Sequence, residues 1–155
     1  MEKVKEVPYG VADFVTVMEQ NLYYVDKTMF IPELEKQPRN LFFIRPRRFG
    51  KSTFLSMLHS YYDCNQSAKF QSLFGNLWIG QHPTELQGKY QVLFLDFSQV
   101  SGNIDSLERN FDFYCSVKLD GFMRRYGEAY SEETREKVRK AEYAMDKLAF
   151  IHDEA

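Results

Sequence analysis

The sequence predicts an α/β fold, a three-layer sandwich around a mainly parallel sheet, and three observations carry that expectation. Leu41–Ile44 and Val92–Leu95 are uninterrupted apolar runs, the pattern of strands buried on both faces. Segments with apolar residues at helical spacing alternate with those runs, as a parallel sheet covered by helices requires. The first run passes through a basic loop straight into such a helix, giving a strand, loop, helix order.

Taken in order, Met1–Val7 is charged and expected to fray, and Pro8 and Gly10 mark the start of the folded part, so residues 1–10 read as a flexible lead-in and 11–155 as one core. Val11, Phe14, Val15 and Met18 predict a short helix. Asp26 is placed to cap a helix running to about Lys36, with Phe30, Ile31 and Leu34 inward and Pro38 as the stop. After the loop, Phe54, Leu55, Leu58, Tyr61 and Tyr62 predict a helix ending near Asp63. Asn65–Ser67 reads as a polar turn. Lys69–Ile79 reads as a short helix and connection whose Phe70, Leu73, Phe74, Leu77 and Trp78 are core candidates before they are base-stacking ones. Tyr90–Phe97 is the second predicted strand, and Ile104–Tyr126 a long amphipathic helix ended by Gly127. Arg124 and Arg125 there suit the negative end of the helix dipole better than an arginine finger. Ser131 is an N-cap with Glu132 and Glu133 in the first turn of a helix running toward Ala155.

Composition narrows the function classes. With 155 residues, 44% of them hydrophobic and 16% aromatic, the chain can bury a core and is not a disordered tail. A net charge of −2 offers no general basic surface for nucleic acid, so the arginines near residue 45 are a local feature. Cys64 and Cys115 are far apart and show no zinc-site spacing, and His59, His82 and His152 fall at unrelated positions. No secretory leader and no apolar run of spanning length is present, which favours the cytoplasm and no membrane partner.

The chemistry concentrates at Gly50-Lys51-Ser52-Thr53. The first turn of a helix carries N–H groups without intrahelical partners and the positive end of the dipole, so it attracts phosphate. Gly50 lets backbone approach closely. Lys51 would reach the terminal phosphates and is the candidate catalytic cation, Ser52 would ligate Mg2+, and Thr53 adds a hydroxyl near the first phosphate. A standard phosphate loop has glycine where this chain has Arg45. The turn must then be shaped otherwise, by Pro46, while Arg45, Arg47 and Arg48 add charge beside Phe49 that suits a triphosphate or any polyanion. Asp96, at the end of the second apolar run, has the position of an acid that holds magnesium. It is followed by Phe97-Ser98 rather than a glutamate that could serve as general base.

Residues 45–52, RPRRFGKS, with YVDKT at Tyr24–Thr28 before them and LFLDFS after, resemble the bacterial AAA-ATPase-like family, in which arginine in place of the first glycine is normal. The resemblance runs from about Pro8 to the end of the chain. It implies a P-loop NTPase-like module binding ATP with Mg2+, commonly followed by a C-terminal domain similar to PD-(D/E)xK nucleases. By the same resemblance Val25, Asp26 and Lys27 would line the base pocket, although the residues alone equally fit a capped helix. In that family the hydrolytic acids come on a later strand. The sheet is therefore expected to be incomplete within these residues, which read as the N-terminal part of a longer ATPase that binds ATP weakly and hydrolyses little or none. Two other readings stand beside an ATPase module: a nucleotide-gated switch or interaction domain without turnover, and nucleic-acid binding by the arginine loop. Nuclease chemistry is disfavoured because no Asp…Glu-x-Lys set follows a strand.

Overall fold

In the computed structural model, which describes residues 4–38, 40–44, 46 and 49–155, the chain is helical. It forms two compact units, residues 1–91 and 92–155. The expected behaviour of residues 1–3 lies outside the described residues. Among the described residues no helix is long and apolar enough to cross a membrane.

Helices α1 (Phe14–Glu19), α2 (Ile31–Glu35), α3 (Lys51–Tyr62), α4 (Phe70–Phe74) and α5 (Trp78–Gln81) make up the first unit, with short 3-10 turns at Thr28–Phe30 and Cys64–Lys69. Asp13 caps α1, its carboxylate accepting from Thr16 N–H at 2.8 Å. Phe14, Ile31, Phe54, Met57, Tyr61, Leu73, Phe74 and Ile79 form one buried cluster. At its centre the Phe74 ring centroid lies 5.0 Å from that of Phe14 and 5.6 Å, edge to face, from that of Tyr61, so α1, α3 and α4 meet through aromatic rings. Glu35 ties the margin together, its Oε1 accepting from the Tyr62 hydroxyl (3.0 Å) and from Thr84 Oγ1 (2.7 Å). Burial, and then the Glu35 charge, pushes the Tyr62 hydroxyl well above its ordinary pKa, keeping it a donor.

Helices α6 (Ile104–Tyr126), α7 (Glu132–Lys140) and α8 (Ala144–His152) form the second unit, with 3-10 turns at Phe97–Gln99 and Gly127–Ala129. Asn103 caps α6, accepting from Ser106 N–H, and Ser131 caps α7 as the sequence predicts, accepting from Thr134 N–H. Leu119, Phe122, Tyr126, Tyr130, Val138, Ala144 and Ile151 are buried. Lys147, only 6% exposed, is neutralised by Asp120 at 2.7 Å, the condition for burying an ammonium.

The predicted α/β sandwich is overturned. Among the described residues there is no strand and no sheet. Leu41–Ile44 has no regular secondary structure, with Phe42 93% and Ile44 89% exposed rather than buried on both faces. In the predicted strand Tyr90–Phe97, Tyr90 makes an isolated parallel bridge with Asp63 in which Cys64 N–H donates to Tyr90 O and Tyr90 N–H to Tyr62 O, both at 2.9 Å. Beyond it, tyrosine hydroxyls take the backbone groups a neighbouring strand would take: Val92 N–H donates to Tyr126 Oη (3.2 Å) and Asp96 N–H to Tyr114 Oη (2.7 Å). The physical reason is that an apolar run specifies only a preference for burial. A strand needs a second chain segment to accept its N–H groups and donate to its carbonyls.

Smaller corrections have local causes. The single helix expected over Asp26–Lys36 is a 3-10 turn leading into a five-residue α2, with Pro32 in its first turn. Within Lys69–Ile79, where a short helix and a connection are expected, α4 is that helix, and the connection after Gly75 is followed at Trp78 by a second helix, α5; Asn65–Ser67 belongs to a 3-10 run, not to a separate turn. The helix from Ser131 stops at Lys140 and restarts at Ala144, because Asp112 Oδ1 accepts Ala144 N–H at 2.9 Å and fixes a new helix start there.

Candidate functional site

The start of α3 differs chemically from the other long helix starts. Its cap is Gly50, at φ +71°, a left-handed conformation that side chains with a Cβ rarely adopt. Gly50 has no side chain with which to accept the first-turn N–H groups, and no acidic residue lies in that turn. By contrast α6 has Asn103 with Asp105, and α7 has Ser131 with Glu132 and Glu133. The positive end of the α3 dipole therefore meets no anionic side chain from its own first turn, and Lys51 adds a cation at the first helical position. Lys51 and Ser52 are exposed and Thr53 is half-buried.

The other end of the site comes from Tyr24–Thr28. Asp26 is a cap, and a double one: its Oδ1 accepts from Thr28 N–H (2.8 Å) and Thr28 Oγ1 (2.7 Å), while its Oδ2 accepts from Trp78 N–H (2.7 Å) at the start of α5. Thr28, fully buried, in turn accepts Ile79 N–H on its hydroxyl at 3.1 Å. Lys27 is thus carried between two anchored residues. Its ammonium is directed at the α3 start, with Nζ 3.4 Å from the position a Cβ on Gly50 would occupy. Two lysines distant in sequence, Lys27 and Lys51, flank one glycine cap.

Asp26→Ala removes three hydrogen bonds, two within the Lys27 turn and one that joins it to α5. It should cost about 1–3 kcal/mol. A lowered urea midpoint with unchanged slope is the expected reading; a midpoint equal to the wild type's would mean that the carboxylate anchors nothing.

Of the residues singled out by sequence, Asp26, Lys27, Gly50, Lys51, Ser52 and Thr53 all lie in the first unit, and Lys27, Gly50 and Lys51 meet at the α3 start. Pro46 and Phe49 are exposed in the connection before α3. The expectations for Arg45, Arg47 and Arg48 fall outside the described residues. Val25 is exposed. Asp96 belongs to the second unit, where its Oδ1 accepts from Ser98 Oγ (2.7 Å) and Ser98 N–H (3.1 Å). Those bonds hold its pKa below the usual carboxylate value. Among the described residues no group of three His, Cys, Asp or Glu is placed to hold a metal ion. A metal at the α3 start would draw on Ser52 and on the ligand that accompanies it.

Sequence reasoning did not find Phe30, Glu33, Leu34, Gln37, Phe43 and Phe54 as a group, although they share a cavity with Lys27. Three of them follow Lys27 at helical spacing, a signal that also fits simple packing.

The family model described as Predicted AAA-ATPase matches residues 8–153. The chain is 43% identical over 63 residues to the "Uncharacterized protein in vnfD 5'region" of Azotobacter chroococcum mcd 1, a stretch that spans 40% of this chain and 12% of that protein. No solved structure matches.

Proposed function

The chain belongs to the Predicted AAA-ATPase family, and on that premise we propose that it binds ATP with Mg2+ through a variant phosphate loop ending at Gly50, as the N-terminal part of an AAA-like ATPase. One observation carries the reading: a helix start capped by a left-handed glycine, with no acid in its first turn, faced by the Lys27 ammonium and bearing Lys51. Two lysines and the amides of Lys51, Ser52 and Thr53 make a cradle for a polyphosphate rather than for a single carboxylate. Lys51 contacts the terminal phosphates, Ser52 ligates the magnesium, and Lys27 contributes a second charge from the opposite chain segment. Mg2+, when bound, offsets phosphate charge that two lysines leave uncompensated. The arginines 45, 47 and 48 would strengthen the same field.

A second reading, a nucleotide-gated switch without turnover, is favoured by the use of the Asp96 carboxylate as a cap for Ser98 and by Phe97 where a hydrolytic glutamate would follow.

Titration of the chain with ATP, ADP and AMP in the presence of Mg2+, by calorimetry, tests the proposal. Affinity should fall in that order. Lys27→Ala should weaken ATP about tenfold while leaving the weak AMP binding nearly unchanged, as loss of one charge-assisted phosphate contact predicts. Equal affinities for ATP and AMP, or no effect of Lys27→Ala, would remove the phosphate cradle. Measured phosphate release alongside separates the ATPase from the switch.

A further inference from the structure

A groove of about 580 Å³ lies within the second unit and is lined by residues of that unit alone. Its floor is one face of α6. Asp105, Glu108, Asp112, Cys115 and Leu119 recur every three or four residues there, so their side chains share that face. One wall is the connection before α6, from which the alternate residues Leu93, Leu95 and Phe97 line the space, the Phe97 ring centroid 5.1 Å from that of Phe111. The other wall is the start of α8, held to α6 by Ala144 N–H on Asp112 (2.9 Å) and by Lys147 on Asp120 (2.7 Å). Tyr143, Met145 and Leu148 line the groove from that side.

The lining changes character along α6. Leu119 is buried and Cys115 half-buried, whereas Asp105 and Glu108 are exposed. The inner end is therefore apolar and the outer end acidic. Three carboxylates there meet one guanidinium, that of Arg109, so the lining carries an excess of negative charge. Among the described residues Asp105 and Glu108 enter no ion pair or side-chain hydrogen bond, and Asp112 engages one oxygen with Ala144 N–H. Met145 is 73% and Tyr143 57% exposed, apolar surface that a ligand body would remove from water.

We infer that this groove binds a small amphiphilic cation, with an apolar body against Leu119, Cys115 and the two walls and an ammonium or guanidinium head among Asp105, Glu108 and Asp112. The volume falls within the roughly 300–1,000 Å³ of pockets that take drug-sized ligands. Carboxylates accept hydrogen bonds and such a head group donates them, whereas an anionic head on the same body would be repelled by the acid row. Charge also disfavours a second copy of the chain as the occupant. A two-fold contact through this face would set three carboxylates against three, with one arginine on each side. The site owes nothing to the nucleotide reading.

Displacement of the fluorescent apolar probe N-phenyl-1-naphthylamine from the full chain by octylamine, octanol and octanoate tests this, since the three share one body and differ in head-group charge. Octylamine should bind about threefold to tenfold more tightly than octanol, as partly screened ion pairs imply, and octanoate most weakly. The double variant Asp105→Asn, Glu108→Gln should bring the amine level with the alcohol and leave the alcohol unchanged. Met145→Ser should weaken both alike. These three side chains are exposed, so unchanged circular dichroism is expected. Bound octylamine should also slow alkylation of Cys115 by iodoacetamide, read by peptide mass mapping, and leave Cys64 unaffected. Equal affinities for amine, alcohol and carboxylate, an amine preference that survives the double variant, or unprotected Cys115 would each overturn the site. Protection of Cys115 by an amphipathic Leu/Lys peptide but not by octylamine would make the groove a protein-docking surface instead. A concentration-dependent dimer in sedimentation that protects Cys115 would make it a self-interface, and either result overturns the proposal.

Discussion

Lys51→Ala should weaken Mg-ATP binding by at least about tenfold and leave the fold intact. Lys51 is exposed at the first position of α3 and contributes nothing to the buried cluster of the first unit. A net contribution of about 1.5–3 kcal/mol is typical of a hydrogen bond to a charged group, and 1.4 kcal/mol is a tenfold change in affinity. Lys51→Arg should retain part of the binding, since it keeps the charge but not the compact ammonium. Calorimetric titration read beside a thermal melt separates loss of binding from loss of structure. Wild-type affinity in the alanine variant would mean that the α3 start is not where phosphate goes, whatever the family does elsewhere.

The second large effect is on stability. Phe74→Ala should lower the unfolding free energy by about 3–5 kcal/mol, the usual cost of emptying a buried phenylalanine site. Phe74 is 0% exposed and its ring lies against those of Phe14 (5.0 Å), Phe70 (5.5 Å) and Tyr61 (5.6 Å), so the lost ring leaves three neighbours facing a void that helices cannot close without moving. A domain typically has about 5–15 kcal/mol in hand, so a large part of the margin goes. The control is Phe42→Ala, where the side chain is 93% exposed and the expected change is within about 0.5 kcal/mol. Guanidinium unfolding followed by far-ultraviolet circular dichroism measures both. Similar midpoints for the two variants would show that the apolar runs and the helical core had exchanged roles.

The pairing of these two phenylalanines shows where local sequence was informative. Caps and periodicity act over a few residues, and the elements they govern were legible: α3 begins after Gly50, α6 spans Ile104–Tyr126, and Ser131 caps the helix that follows. Strand pairing is non-local, and there the reading failed. Leu41–Ile44 has the composition of a buried strand but forms no ladder among the described residues, and Tyr90 makes an isolated bridge. The break before Ala144 was equally illegible. Neither proline nor glycine marks residues 141–143, and the carboxylate that sets the new helix start is Asp112, on another helix.

For the site, the sequence by itself determined the chemistry: a glycine able to take positive φ, lysine and hydroxyls behind it, and a helix to orient their amides. Those are properties of neighbouring residues and need no fold to express them. Only the tertiary structure decided that Asp26 accepts from both Thr28 and Trp78, and that Lys27 reaches Gly50. It also gathered Phe30, Phe43 and Phe54 around one cavity. Contacts between distant residues depend on how helices pack, and packing is set by the buried cluster as a whole rather than by any motif within it.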